Sequence, residues 1–112
     1  MYFKAPKNDF KTIWTRHAVS KMRQYGLSEN CLKRLLRNSI RQEEGIAPDT
    51  TAIMQVSGSK KHPTEIWLMY QKVGEKIKIV TAWRYPGISP KKEIPMPEDI
   101  KGFVKNYKPE TQ

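Results

Sequence analysis

The sequence predicts an α+β domain in which an N-terminal helical hairpin packs on a three- to four-stranded antiparallel sheet, with a short C-terminal helix. Three observations carry this. Apolar residues recur at helical spacing from residue 15 to residue 41. Three runs between residues 50 and 85 are rich in β-branched and aromatic residues. A chain of 112 residues has the length of one ordinary domain with one core.

Residues 1–13 read as an irregular N-terminal arm with Pro6 and Asn8-Asp9, in which Phe10, Ile13 and Trp14 supply either a short strand or an anchor. The first helix spans roughly 15–25. Ala18, Val19, Met22 and Tyr25 fall on one side, Thr15 is its N-cap, and Gly26 stands where a left-handed C-cap belongs. Ser28 caps a second helix, with Glu29 in the positive first turn and Leu27 placed to staple onto Leu32. Its stripe is Leu32, Leu35, Leu36 and Ile40, with Lys33, Arg34, Arg37 and Arg41 opposite and Glu43-Glu44 as the helix exit.

The strands follow as "TTAIMQV", "EIWLMYQKV" and "KIKIVTAWRY". Gly74-Glu75 between the last two suits a tight type II′ hairpin turn. Strict alternation puts Ile77, Ile79, Thr81 and Trp83 on one face and Lys78, Val80, Ala82 and Arg84 on the other, one face packing on helices and the other meeting solvent or a ligand. Trp67 and Tyr70 fall on opposite faces of the second of these strands. The segment "PGISPKKEIPMP" is extended, and Ile100, Phe103, Val104 and Tyr107 return to helical spacing. The expected organisation is an arm over 1–13, an α+β domain over 14–87, and a Pro-rich segment with a C-terminal helix over 88–112.

Twenty-one Lys and Arg against eleven Asp and Glu leave a net charge of +10, a field that draws phosphate polyanions, anionic membranes or an acidic protein. Cys31, the single cysteine, reads as a small residue on the apolar side of the second helix. The scattered glycines form no phosphate loop, and His17 and His62 lack a metal-ligand spacing, so no cofactor and no metal are expected. The start lacks a signal-peptide pattern and no run is long enough to span a bilayer, which gives a cytoplasmic expectation without a membrane partner.

His17, Lys21 and Gln24 share one flank of the first helix, at the border of the apolar stripe, while Arg16, Ser20 and Arg23 point away from it. A histidine that titrates near neutral pH beside a phosphate-holding lysine suits metal-independent RNA cleavage, in which a base deprotonates the ribose 2′-hydroxyl and cations stabilise the phosphate. Equally, His17 packs against Trp14 or the sheet edge and Lys21 is solvated. Arg84 is either a phosphate clamp or a sheet-edge ion pair. Tyr85 is either a proton donor or base-stacking ring, or a lid over the Pro86 turn.

"HAVSKMRQYGLS" resembles the opening helix of the DUF4258 group of small bacterial proteins, and "KIKIVTAWRYPG" is similar to the terminal strand of that group and of BrnT-like toxins. The resemblance covers roughly residues 14–87 and implies kinship with the RelE/ParE toxin superfamily, whose RNase members cut mRNA without a metal. His17 matches the family histidine, Gly26, Leu27 and Ser28 match its helix break, and Lys21 and Tyr25 stand where arginine is usual.

The resemblance and the charge together imply an endoribonuclease toxin. His17 is its base or acid, Lys21 and Arg84 hold the scissile phosphate, and Tyr85 completes the catalytic set. Arg16, Arg23, Lys33, Arg34, Arg37, Arg41 and Lys78 bind RNA. Its partners would be RNA, including ribosome-bound mRNA, and an acidic antitoxin. The alternative is a non-catalytic nucleic-acid-binding or protein-interaction module of the same fold, since the superfamily also holds gyrase-directed and non-toxic members.

Overall fold

The computed structural model describes residues 3–91 and 93–107. Met1, Tyr2, Lys92 and residues 108–112 lie outside the described residues, and with them the first residues of the expected arm and the end of the expected 88–112 segment. Among the described residues the elements are β1 (Thr12–Trp14), α1 (Arg16–Tyr25), α2 (Glu29–Arg37), β2 (Arg41–Glu44), β3 (Thr50–Gly58), β4 (Pro63–Val73), β5 (Lys76–Pro86) and α3 (Glu98–Lys105). The chain is α+β. Its sheet has five strands in the order β1-β5-β4-β3-β2, and it is mixed because β1 runs parallel to β5.

The helix boundaries follow from capping chemistry. Thr15 Oγ1 accepts the Ala18 N–H at 3.1 Å and also donates to the Ile79 carbonyl at 2.8 Å, which starts α1 and pins it to β5. Gly26 takes φ +68°, and the Leu27 N–H closes onto the Met22 carbonyl at 2.8 Å, so α1 ends where glycine makes a left-handed residue cheap. Ser28 Oγ then accepts the Cys31 N–H at 3.1 Å to open α2.

The second helix is shorter than its apolar spacing predicts. It stops at Arg37, Asn38 leaves helical geometry at φ −139°, and Ile40 is 66% exposed rather than part of the stripe. Arg41 and Glu43-Glu44, expected on the helix and at its exit, form β2, paired with β3 from Arg41↔Met54 to Glu44↔Thr51. Ladder pairing along β3 overrides the i, i+4 coincidence of Ile40 and Leu36. α1 lies on β5 and α2 on β3, so the tandem helices spread over the sheet rather than close as a hairpin on each other.

Both faces of the sheet are covered, contrary to the expected open face. On one, Ala18, Met22, Leu27, Leu32 and Leu35 pack on Ile53, Ile66, Leu68, Ile79 and Ala82. On the other, Met96, Ile100 and Val104 pack on Ala52, Met54, Trp67, Met69 and Trp83. Trp67 and Trp83 stack in parallel with centroids 5.8 Å apart, and Tyr70 is half-buried under the helical face.

The change of face along β5 comes from a bulge. Tyr70 pairs with Ile79 and Met69 with Thr81, leaving Val80 as an extra residue. Strict alternation places Ile79 and Trp83 together, but the bulge sends Ile79 and Ala82 to the helical face and Trp83 to the other. At the β4–β5 turn Gly74 has φ +65°, the left-handed value the two-residue hairpin requires.

Candidate functional site

His17 projects from the first turn of α1 across the edge of β5, beyond the three residues that β1 covers. Its Nε2 lies 2.9 Å from Oγ1 of the fully buried Thr81, and its ring stacks face to face on Phe103 of α3, with centroids 3.5 Å apart and planes 4° apart. Burial first, and the Lys21 ammonium second, lower its pKa from 6.5 to about 4. At neutral pH the ring is uncharged and both its edge and its face are in contact with the protein.

One turn on, Lys21 forms an ion pair with Asp99 at the start of α3 and donates to Gln24 Oε1 at 2.9 Å. The hydrogen bond from Lys21 holds the Asp99 carboxyl below the ordinary carboxylate range. Tyr25 has its phenol pushed up by burial and, after that, by the Asp99 charge. The flank of α1 expected to meet a phosphate therefore meets α3.

Arg84 has a different role from either sequence reading. Its Nε donates to the Tyr25 carbonyl at 3.1 Å and its Nη2 to the Gly26 carbonyl at 3.4 Å, so the guanidinium caps the negative end of α1. Tyr85 points to the opposite face and packs on the Trp67–Trp83 cluster. Among the described residues no hydrogen bond or ion pair joins His17 or Lys21 to Arg84 or Tyr85. The structure brings His17 and Lys21 together and leaves the other two elsewhere.

The expected nucleic-acid contacts divide in two. Arg41 is inward: it bonds Glu43 Oε2 at 2.7 Å, Ser89 Oγ at 3.0 Å and the Lys91 and Glu93 carbonyls at 3.0 and 3.1 Å, with its guanidinium 5.1 Å from the Trp67 ring centroid. It clamps the segment after β5 rather than facing solvent from α2. Lys78 is half-buried with its ammonium 5.9 Å from the Tyr107 ring centroid.

The outward group lies on α1 and α2. Arg16, Arg34 and Arg37 are exposed and have no ion pair among the described residues. Arg23 lies 5.1 Å from the Phe3 ring centroid, and Lys33 pairs with Glu29 at 2.9 Å across one helical turn. A cleft of about 560 Å³ at the α1–α2 junction includes Arg23 but none of His17, Lys21, Arg84 or Tyr85.

Sequence reasoning missed Thr81, Asp99 and Phe103 as the partners of His17 and Lys21. No local signal joins residues so far apart, although the acidic start of α3 shows Asp99 as a helix-initiating residue. It also treated Phe10 as part of a strand or anchor, whereas Phe10 is 77% exposed. No protein-family model, curated protein or solved structure matches the chain.

Proposed function

We propose that the protein is a basic nucleic-acid-binding module that captures its ligand electrostatically and does not cleave it. One contrast carries this reading. His17, Lys21 and Arg84 are all committed to internal partners, whereas Arg16, Arg34 and Arg37 stand in solvent without an acidic partner among the described residues. Cations that neutralise phosphates release bound counterions, so such a surface binds any polyanion in a salt-dependent way. Bringing the stacked face and the Nε2 edge of His17 and the Lys21 ammonium to a substrate would require the ring to leave Phe103 and Thr81 and Lys21 to leave Asp99.

The test is fluorescence anisotropy with a labelled RNA between 50 and 200 mM salt, read beside a denaturing gel. Intact RNA is expected, with log affinity falling linearly against log salt at a slope of roughly −0.7 for each phosphate neutralised on a single strand. Arg34→Glu/Arg37→Glu should weaken binding at least ~10-fold and flatten that slope. RNA cut by the parent and spared by His17→Ala would overturn the proposal, as would no binding at the lowest salt.

A further inference from the structure

The segment before β1 is held in a defined turn. Asp9 Oδ1 accepts the N–H groups of Lys11 and Thr12, both at 2.8 Å, and the Asp9 N–H donates to the Thr12 carbonyl at 3.0 Å. Asn8 Oδ1 accepts the Trp14 N–H at 2.6 Å. Thr12 and Trp14 are buried, so continued alternation would bury Phe10 as well. The turn instead directs Phe10 outward, with 77% of its surface in water.

A lysine lies against this ring. The Lys11 ammonium lies 5.6 Å from its centroid, and the Lys11 carbonyl accepts the Ile77 N–H at 2.8 Å, which fixes the turn beside Lys76. Lys33 of α2 acts electrostatically on Asp9, and Arg37 acts on Lys33, so the outward face of α2 adjoins the same turn. An exposed aromatic on a fixed turn, with the Lys11 ammonium beside it and the basic side of α2 nearby, suits a ligand with both π-faces and phosphates.

We propose that Phe10 is a stacking platform for an unpaired base, with Lys11 and Arg37 holding the neighbouring phosphates, so that the module takes single-stranded nucleic acid. This rests on the nucleic-acid reading above and narrows it. In a duplex each base face is covered by its neighbours, and only an unstacked base can lie on an external ring. An anionic membrane would share the charge, but a helix seated on lipid presents a broad apolar face, and the outward residues of α1 and α2 include Arg16, Ser20, Arg23, Asn30, Arg34 and Arg37.

The experiment compares the full chain with Phe10→Ala and Phe10→Trp on labelled single-stranded RNA, single-stranded DNA and a duplex of the same sequence at one salt concentration. Phe10→Ala should weaken binding to at least one single strand by ~10-fold, and Phe10→Trp should restore it. Duplex affinity should stay within about twofold, and the salt slope should not change because no charge is removed. Single-strand RNA and DNA arms that differ would identify which sugar the module accepts. Equal effects on single strand and duplex, or none on either, overturn the platform and leave the electrostatic reading standing. No binding by the parent to any of the three overturns both. Phe10-dependent sedimentation with anionic vesicles, or a concentration-dependent dimer that Phe10→Ala dissolves, also overturns the platform.

Discussion

Acid should loosen this fold through His17 before Asp9 or Asp99 is involved. An unfolded chain takes up a proton on this histidine as pH falls through 6.5, whereas the folded chain resists protonation down to about 4. Between those values the unfolded state binds more protons, so stability is present above pH 6.5 and drains away as pH falls towards 4. For a fully shielded group the loss between pH 7 and pH 5 would be about 2 kcal/mol. The ring is half-buried, and solvent screening reduces this to ~1 kcal/mol.

Asp9 and Asp99 do not confuse that window, because both carboxyls sit below their ordinary 3.8. Their contributions are lost only at lower pH. Urea denaturation at pH 7 and pH 5 measures the effect, an expected fall in midpoint of ~0.5–1 M for the parent. His17→Phe keeps an aromatic ring against Phe103 but has nothing to titrate. It should be less stable at pH 7, since Thr81 loses its partner, yet its midpoint should fall distinctly less between the two pH values. A variant with the same pH dependence as the parent would refute the assignment of acid sensitivity to this ring.

Two further perturbations test the opposite end of the sheet. A methyl group at Gly45 would collide with the buried Thr50 side chain and sit 2.9 Å from Met69 Sδ, so Gly45→Ala should cost ~1–3 kcal/mol and lower the thermal midpoint by ~5–15 °C. An unchanged melt would mean that the β2–β3 turn yields freely. Glu65 is 1% exposed, and its two oxygens accept the Trp67 indole N–H and the Ser89 amide, both at 3.0 Å. Glu65→Gln turns one acceptor into a donor facing a donor and should cost ~1–3 kcal/mol by chemical denaturation. Parent-like stability would show that the segment after β5 does not depend on the Glu65 carboxylate.

The parts of this fold readable in the sequence are those set by neighbours in the chain. Thr15, Gly26 and Ser28 act within one turn of themselves, and their caps were legible as such. Gly74 likewise shows its hairpin. β2 was not legible, because "RQEE" has neither strand propensity nor an apolar face and exists by pairing with β3. β1 is only three residues long and takes its form from β5. The bulge at Val80 leaves no mark, since "IVTA" reads as uninterrupted strand.

The candidate site shows the same division. The flank shared by His17 and Lys21 was legible from helical spacing, but what faces it was not. Asp99 and Phe103 arrive from a helix some eighty residues later and turn an apparent reactive pair into a junction between α1 and α3. Arg84 was legible as a cation at a strand end. Its use as a cap for α1 depends on β5 running past the Tyr25 and Gly26 carbonyls, a tertiary fact.

The extra residue at Val80 also sets what length changes the chain tolerates. Before it β5 presents Ile79 to the helices, and after it the phase of the strand is inverted so that Trp83 faces α3. Loss of one residue here would rotate everything downstream, moving Trp83 and Tyr85 under the helices and Arg84 away from the helix end it caps. The β3–β4 connection over residues 59–62 can gain or lose a residue in solvent without changing any side chain's phase. Along β5, the phase of every later side chain thus hangs on a single valine that the ladder leaves unpaired.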